Sequence, residues 1–269
     1  MNPSSNSFVS DYGPWALITG ASEGIGAAIA ADVAARGLNV VLAARREDRL
    51  EVLAGTLQKD HAIDVCVVSA DLGTQSGIEK TLGAISDKDI GLYAACAGFG
   101  TAGPFVDNAA TEELDMIDVN CRALTALAHP IAHSMRARRK GGIVLMSSIV
   151  AFQGVANSAN YAATKAYVQS LAEGLAAELA PFGIDVVASA PGPVQSGFAV
   201  RADMQMGGAT PPETVADVTL NALGRKITVR PGARSKLLGY SLGALPRGFR
   251  GRVLGKIMAG MTKHRDAQN

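Results

Sequence analysis

Residues 15–36 constrain the fold more than any other stretch of the chain. Trp15–Thr19 is a short apolar run, TGASEGIG follows at 19–26, and an alanine-rich helical pattern continues from Gly24 to Arg36, where Gly37 supplies a stop. Glycines at 20, 24 and 26 permit a sharp turn and let a phosphate approach free backbone N–H groups. The start of the helix aims a partial positive charge at the same point. An ordinary tight connection would use the same glycines, so the turn alone does not name a ligand. Its place after an N-terminal strand and before a helix favours a dinucleotide. No Gly-Lys-Ser/Thr follows, which excludes a Walker-type phosphate loop.

The same alternation continues downstream. Leu38–Ala44, Asp64–Ser69, Gly91–Ala97, Gly142–Ser147, Ile184–Ser189 and Lys226–Arg230 read as strands, with helices over Thr111–Arg138, Asn160–Leu179 and Pro212–Leu223 among those between them. No repeat or low-complexity linker interrupts the pattern. It predicts an α/β fold: one Rossmann-like, doubly wound parallel sheet of about seven strands flanked by helices. Residues 1–231 form this domain and 232–269 a C-terminal extension. With 48% hydrophobic residues but only 5% aromatic, the core is expected to be aliphatic.

A net charge of +1 gives no global attraction to nucleic acid, but the charge is uneven. Beyond Gly232 stand eight Lys/Arg against Asp266 alone, which leaves about −6 on residues 1–231. In this tail Val253, Leu254, Ile257, Met258 and Met261 share a helical face, with Arg250, Arg252, Lys256 and Lys263 around it. Such a helix suits peripheral contact with an anionic membrane, a cover over a substrate cleft, or a subunit contact. The first residues carry no basic and apolar leader pattern, and no run of about 18 apolar residues occurs, so a cytoplasmic location is expected. Cys66, Cys96 and Cys121 lack metal-ligand spacing and read as buried reduced thiols. His129 and His133 share a helix face, but no third ligand is near and Pro130 kinks that end, so no metal site is expected.

The chemistry concentrates in residues 141–167. Tyr161 and Lys165 lie four apart and project from one helical face, while Ser147 and Ser148 end the preceding strand. A free phenol titrates near ~10, and an adjacent cation lowers it by roughly 1–3 units, so Lys165 is expected to tune Tyr161 as a proton donor and acceptor. Arg45 and Arg46 follow the second strand, with no acidic residue at Ala43 or Ala44 to bind a ribose 2′-hydroxyl. The Arg45 guanidinium suits a 2′-phosphate, favouring NADP(H), with NAD(H) as the alternative. A solvated RREDR cluster opening the next helix is the bland reading. Glu23 opposes a phosphate by charge unless it pairs with Arg45. Asp71 and Leu72 are placed to cap an adenine, and the PGPVQSGF turn at 191–198 lets Ser196 close over a cofactor. Beyond it, Met204, Met206, Gly207 and Gly208 suit a substrate lid or a simple connector.

Thr19-Gly20…Gly24-Ile25-Gly26, Asp71, Ala97-Gly98, Asn120, Ser148, Tyr161-x-x-x-Lys165 and Pro191-Gly192, in this order over residues 14–231, resemble the short-chain dehydrogenase/reductase family. Arg45, the AFQ segment at 151–153 and YAATKAY at 161–167 resemble a bacterial NADP-dependent subgroup. The resemblance implies hydride transfer between a nicotinamide and a carbonyl or alcohol of a medium-sized, fairly apolar substrate. It implies Tyr161 as acid and base, and Ser148, thirteen residues before it, rather than Ser147, on the substrate oxygen. Lys165 would hold the ribose, and Asn120 a water linking Lys165 to solvent. Cofactor contacts are implied for Gly20, Ser22, Gly24, Ile25, Gly26, Arg45, Asp71, Leu72, Ala97, Gly98, Asn120, Tyr161, Lys165, Pro191, Gly192, Val194 and Ser196. A homodimer or homotetramer through the two long helices is implied as well. An NAD-linked alcohol dehydrogenase and a non-catalytic dinucleotide sensor are the competing functions. One departure stands out: Ala95-Cys96-Ala97-Gly98 replaces the family's Asn-Asn-Ala-Gly, which bears on cofactor affinity more than on chemistry.

Overall fold

Each expected strand forms, with ends within two residues of those the apolar runs predict. They are β1 (Trp15–Thr19), β2 (Asn39–Ala44), β3 (Val65–Ser69), β4 (Ile90–Ala95), β5 (Gly141–Met146), β6 (Ile184–Ser189) and β7 (Thr228–Val229). The computed structural model describes residues 3–202, 208–243 and 245–266. All neighbouring strands pair in parallel, in a seven-stranded sheet of order β3-β2-β1-β4-β5-β6-β7. Parallel neighbours need crossovers rather than tight turns. Helices supply them: α1 (Pro3–Tyr12) precedes β1, and α2 (Gly24–Ala35), α3 (Glu47–Asp60), α4 (Gln75–Ala84), α5 (Ala110–Ile117) and α6 (Leu124–Arg138) follow in the first half. The second half adds α7 (Ala159–Leu179), the short α8 (Phe198–Arg201), α9 (Pro212–Leu220), α10 (Ala233–Gly243) and α11 (Arg247–Asp266).

Strand side chains alternate between the two faces. Ile18, Leu42, Val144 and Val187 meet Ile29, Val33, Leu50 and Leu220 on one side. Leu17, Val41, Ile143 and Val186 meet Ile78, Leu127, Met135 and Val168 on the other. Burial on both faces is why these strands read as unbroken apolar runs.

Two features depart from the expectations, and a third decides among the roles open to the tail. The N-terminal helix α1 was not legible, because its mostly polar sequence carries little apolar periodicity. Its Phe8 and Tyr12 are nevertheless buried, and the Tyr12 hydroxyl donates to Asp185 Oδ2 at 2.7 Å. The expected helix over Thr111–Arg138 is interrupted by a π-helical segment, Asp118–Ala123, that contains Asn120. Such widened turns often mark functional positions. Finally, the tail folds back over the sheet's C-terminal edge. Leu254 and Met258 of α11 are buried with Leu242, Val150 and Ala162, while Tyr161 and Phe198 pack beside them. Ser235 Oγ accepts from Gly192 N at 2.8 Å and ties α10 to the turn after β6. A Cβ at Gly251 would lie 2.6 Å from the Gly154 carbonyl oxygen, so glycine is what lets α11 sit this close. Within the expected stripe Leu254 and Met258 are thus buried in the fold and not free to enter a lipid surface, while Val253 and Met261 are half-buried and Ile257 is 37% exposed. Among the described residues no helix is long and apolar enough to cross a membrane.

Candidate active site

The order reverses between β1 and β4, which are neighbours in the sheet although β2 and β3 intervene in sequence. At such a switch point the chains leave on opposite sides and open a crevice beyond the strand ends. Here that crevice is a cavity of about 670 Å³. Gly20 (φ +66°) and Gly24 (φ +56°) take left-handed conformations that other residues rarely adopt, turning β1 into α2. A Cβ at Gly26 would overlap the Gly20 carbonyl oxygen, and one at Gly24 would sit 2.8 Å from Ser196 Cβ. Gly20, Ser22, Gly24, Ile25 and Gly26 thus form a cradle whose opposite wall is the turn carrying Pro191, Gly192, Val194 and Ser196.

At the β2 end, Glu23 pairs with Arg46 at 2.8 Å and Arg49 at 3.2 Å, and Arg46 also donates to Ser22 Oγ at 3.2 Å. Glu23 therefore does not pair with Arg45 but is neutralised by Arg46, which caps α3, and by Arg49 on its first turn. Arg45 has no carboxylate within ion-pair distance among the described residues and lines the cavity, as does Arg201. Asp71 and Leu72 line the same end, the Asp71 carboxylate accepting from Gly73 N at 3.0 Å.

The loop after β4 is held despite its missing asparagines. Ala97 N donates to Thr19 Oγ1 at 3.3 Å. Asn120 Oδ1 accepts from Phe99 N at 3.1 Å, while its Nδ2 donates to Phe99 O at 2.9 Å and to Thr164 Oγ1 at 3.0 Å. Asn120 is only 1% exposed and stands behind the cavity wall, bracing it. A Cβ at Gly98 would come within 3.0 Å of Asn120 Oδ1 and 3.3 Å of Lys165 Nζ, so Gly98 admits both groups.

Ser148, Tyr161 and Lys165 meet at the other end of the cavity. Lys165 is 6% exposed; its Nζ donates to Met146 O at 2.8 Å and lies 5.8 Å from the Tyr161 ring centroid. Burial lowers Lys165 to about 8, with the Cys121 and Cys96 thiols opposing weakly. Burial also pushes the Tyr161 phenol up to about 12, while the Ser148 hydroxyl pulls the other way. The expected depression of the phenol by Lys165 does not appear: burial dominates, and the ammonium donates to the Met146 carbonyl instead. Ser147 Oγ donates to Lys165 O at 3.2 Å and anchors the helix instead of facing the phenol. Burial likewise raises the Cys96 thiol, which lines the cavity, to about 12. The three cysteines are unpaired and half-buried, less enclosed than expected; Cys96 lies just past β4 and Cys121 in the π-helical segment.

The family model for short chain dehydrogenases matches residues 14–206. This chain belongs to that family. It is accordingly an oxidoreductase acting on hydroxyl and carbonyl groups with a nicotinamide dinucleotide. The dehydrogenase is 30% identical over 238 residues to a 7β-hydroxysteroid dehydrogenase of Collinsella aerofaciens, covering 84% of this chain and 88% of the relative. A solved 7β-hydroxysteroid dehydrogenase superposes with a TM-score of 0.84 at 27% identity, over 92% of this chain and 99% of the other. A short-chain dehydrogenase of Sphingobium yanoikuyae in complex with NADPH gives 0.76 at 32% identity, over 86% and 94%.

Several cavity residues of this dehydrogenase had no sequence signal of their own. Phe198 packs against Tyr161 with centroids 5.3 Å apart, and Arg201 lies 3.7 Å over the Phe99 ring. Leu238, Leu254, Ile257, Met258 and Met261 roof the cavity; the helical stripe in the tail was the available hint. Glu113 is buried and takes three side-chain donors: Thr101 at 2.7 Å, Asn108 at 2.8 Å and Asn160 at 2.6 Å. It joins the loop after β4 to the residue preceding Tyr161. Met204, Met206 and Gly207 of the expected lid lie outside the described residues. His129 and His133 are exposed on α6, and no group of three metal-ligating side chains occurs among the described residues.

Proposed function

We propose that the protein transfers hydride between NADP(H) and a ketone or secondary alcohol on a bulky, apolar skeleton. What carries the reading is one cleft that joins Arg45 and the glycine cradle at one end to Ser148, Tyr161 and Lys165 at the other, beneath an aliphatic roof. The cradle suits a pyrophosphate, since its glycines admit close approach of backbone N–H groups at a helix start. Arg45 is free to take a 2′-phosphate, and Asp71 and Leu72 flank the adenine. The nicotinamide, when bound, supplies or accepts the hydride.

Tyr161 delivers its proton to the substrate oxygen in reduction and takes it back in oxidation. Ser148 donates a hydrogen bond to the same oxygen as negative charge develops there. Lys165 holds the ribose hydroxyls and, as a cation, favours loss of the phenolic proton. Asn120 keeps the Phe99 loop and α7 in register, so that Gly98 and Lys165 stay in place. The roof residues Leu238, Leu254 and Met258 exclude water and select an apolar skeleton, in keeping with the hydroxysteroid dehydrogenases among the relatives. Exposed Leu114, Ile117 and Tyr167 on α5, its end and α7 support a homo-oligomer formed through these helices.

The test is consumption of NADPH, and separately NADH, by the purified protein over a panel of bulky ketones, small aldehydes and 3-oxoacyl thioesters. Turnover of bulky ketones with NADPH, lost in Tyr161→Phe, is expected. No turnover across the panel, or undiminished rates in Tyr161→Phe, would sink the assignment; faster turnover with NADH would restore the NAD-linked alternative.

A further inference from the structure

The tail helices have a second face, pointing away from the cleft, with a composition of its own. Leu237 and Tyr240 on α10 are each 73% exposed, and Phe249 on α11 is 52% exposed. Lys236 follows the same outer side of α10, and Arg252 and Lys256 that of α11, all three exposed. Helical spacing places Phe249, Arg252 and Lys256 on one side of α11, opposite Leu254 and Met258, which plug the cleft. No Asp or Glu occurs between Asp217 and Asp266, so the only acid in the tail helices is Asp266, the last residue of α11.

We propose that the outer face of α10 and α11 docks on an anionic phospholipid surface. Leu237, Tyr240 and Phe249 enter the headgroup boundary, and Lys236, Arg252 and Lys256 meet lipid phosphates. Charge complementarity selects this occupant. A two-fold pairing of this face with a second copy would set the same basic side chains against themselves. A purely electrostatic partner such as a nucleic acid would leave the three large apolar side chains in water. The docking face differs from the stripe that the sequence suggested: Leu254 and Met258 are already buried against the catalytic domain, whereas Leu237, Tyr240 and Phe249 are uncovered.

The test is co-sedimentation of the full chain with vesicles of phosphatidylcholine, alone or mixed with phosphatidylglycerol. It is read without substrate or cofactor, so its outcome is separate from that of the catalytic reading. Binding to the mixed vesicles is expected, weakened at least ~tenfold by omitting phosphatidylglycerol or raising salt. The variant Leu237→Ser/Tyr240→Ser/Phe249→Ser should lose binding by ~tenfold or more at unchanged mass and melting temperature. Should that variant fail to fold, Arg252→Glu/Lys256→Glu, which keeps the apolar anchors, must show the same loss. No binding, equal binding to both vesicle types, or binding that survives Arg252→Glu/Lys256→Glu would overturn the proposal. So would a drop in particle mass in the triple variant, which would make this face a subunit contact.

Discussion

The floor and the roof of the cleft are built from opposite materials. The floor is strand ends and turns, and its working groups are held by directed hydrogen bonds: Lys165 to Met146, Ser147 to the α7 backbone, Asn120 to both sides of Phe99. The roof is Leu238, Leu254, Met258 and Met261, whose inward contacts are apolar. Hydrogen bonds fix distance and angle, whereas apolar contact is non-directional and tolerates repacking. On the proposed function, the floor would set which reaction occurs and the roof which molecule is admitted. Changes to the two should separate in kinetics, and four outcomes would sharpen or break that separation.

The largest effect is expected on the floor. Tyr161→Phe should lower kcat by ~10²–10⁴-fold while NADPH binding, measured by fluorescence titration, stays near wild type. Next, Arg45→Ala should raise KM for NADPH by ~10–100-fold and leave KM for NADH nearly unchanged, because one charge-assisted contact is lost. Equal losses for both cofactors would mean that Arg45 supports the fold rather than reading a phosphate. A third effect is on pH dependence. Lys165, lowered to about 8 by burial, carries its charge below that pH and loses it above, while Tyr161, pushed up to about 12, stays protonated across the same range. Reduction should therefore fall ~tenfold per unit above pH about 8, and a flat profile from pH 7 to 10 would count against Lys165 as the titrating group. The smallest effect belongs to the roof. Leu254→Ala should raise KM for a bulky ketone by ~3–10-fold through lost apolar contact, with kcat within ~twofold. A fall in kcat comparable to that of Tyr161→Phe would erase the distinction between floor and roof.

Local order was legible in the sequence. Strands buried on both faces leave unbroken apolar runs, a turn that needs positive φ leaves glycines at 20 and 24, and a helix leaves Tyr161 and Lys165 one turn apart. Each of these patterns is produced by neighbours along the chain. All the expected site residues except Asn120 line the cavity, and Asn120 stands just behind its wall. Tertiary structure decided the rest. Glu23 chose Arg46 and Arg49 over Arg45 because of how α3 is phased against the glycine turn. Glu113 became a hub because two segments distant in sequence, the loop after β4 and the start of α7, converge on it. The phenol of Tyr161 is raised rather than lowered because desolvation depends on what covers it, which no spacing in the chain records. The tail likewise announced an amphipathic helix, but which face would be buried and which left open depended on a cleft assembled from six strand ends. Periodicity reports the conformation of a segment; burial and charge pairing report its neighbours in space, and those exist only once the chain has folded.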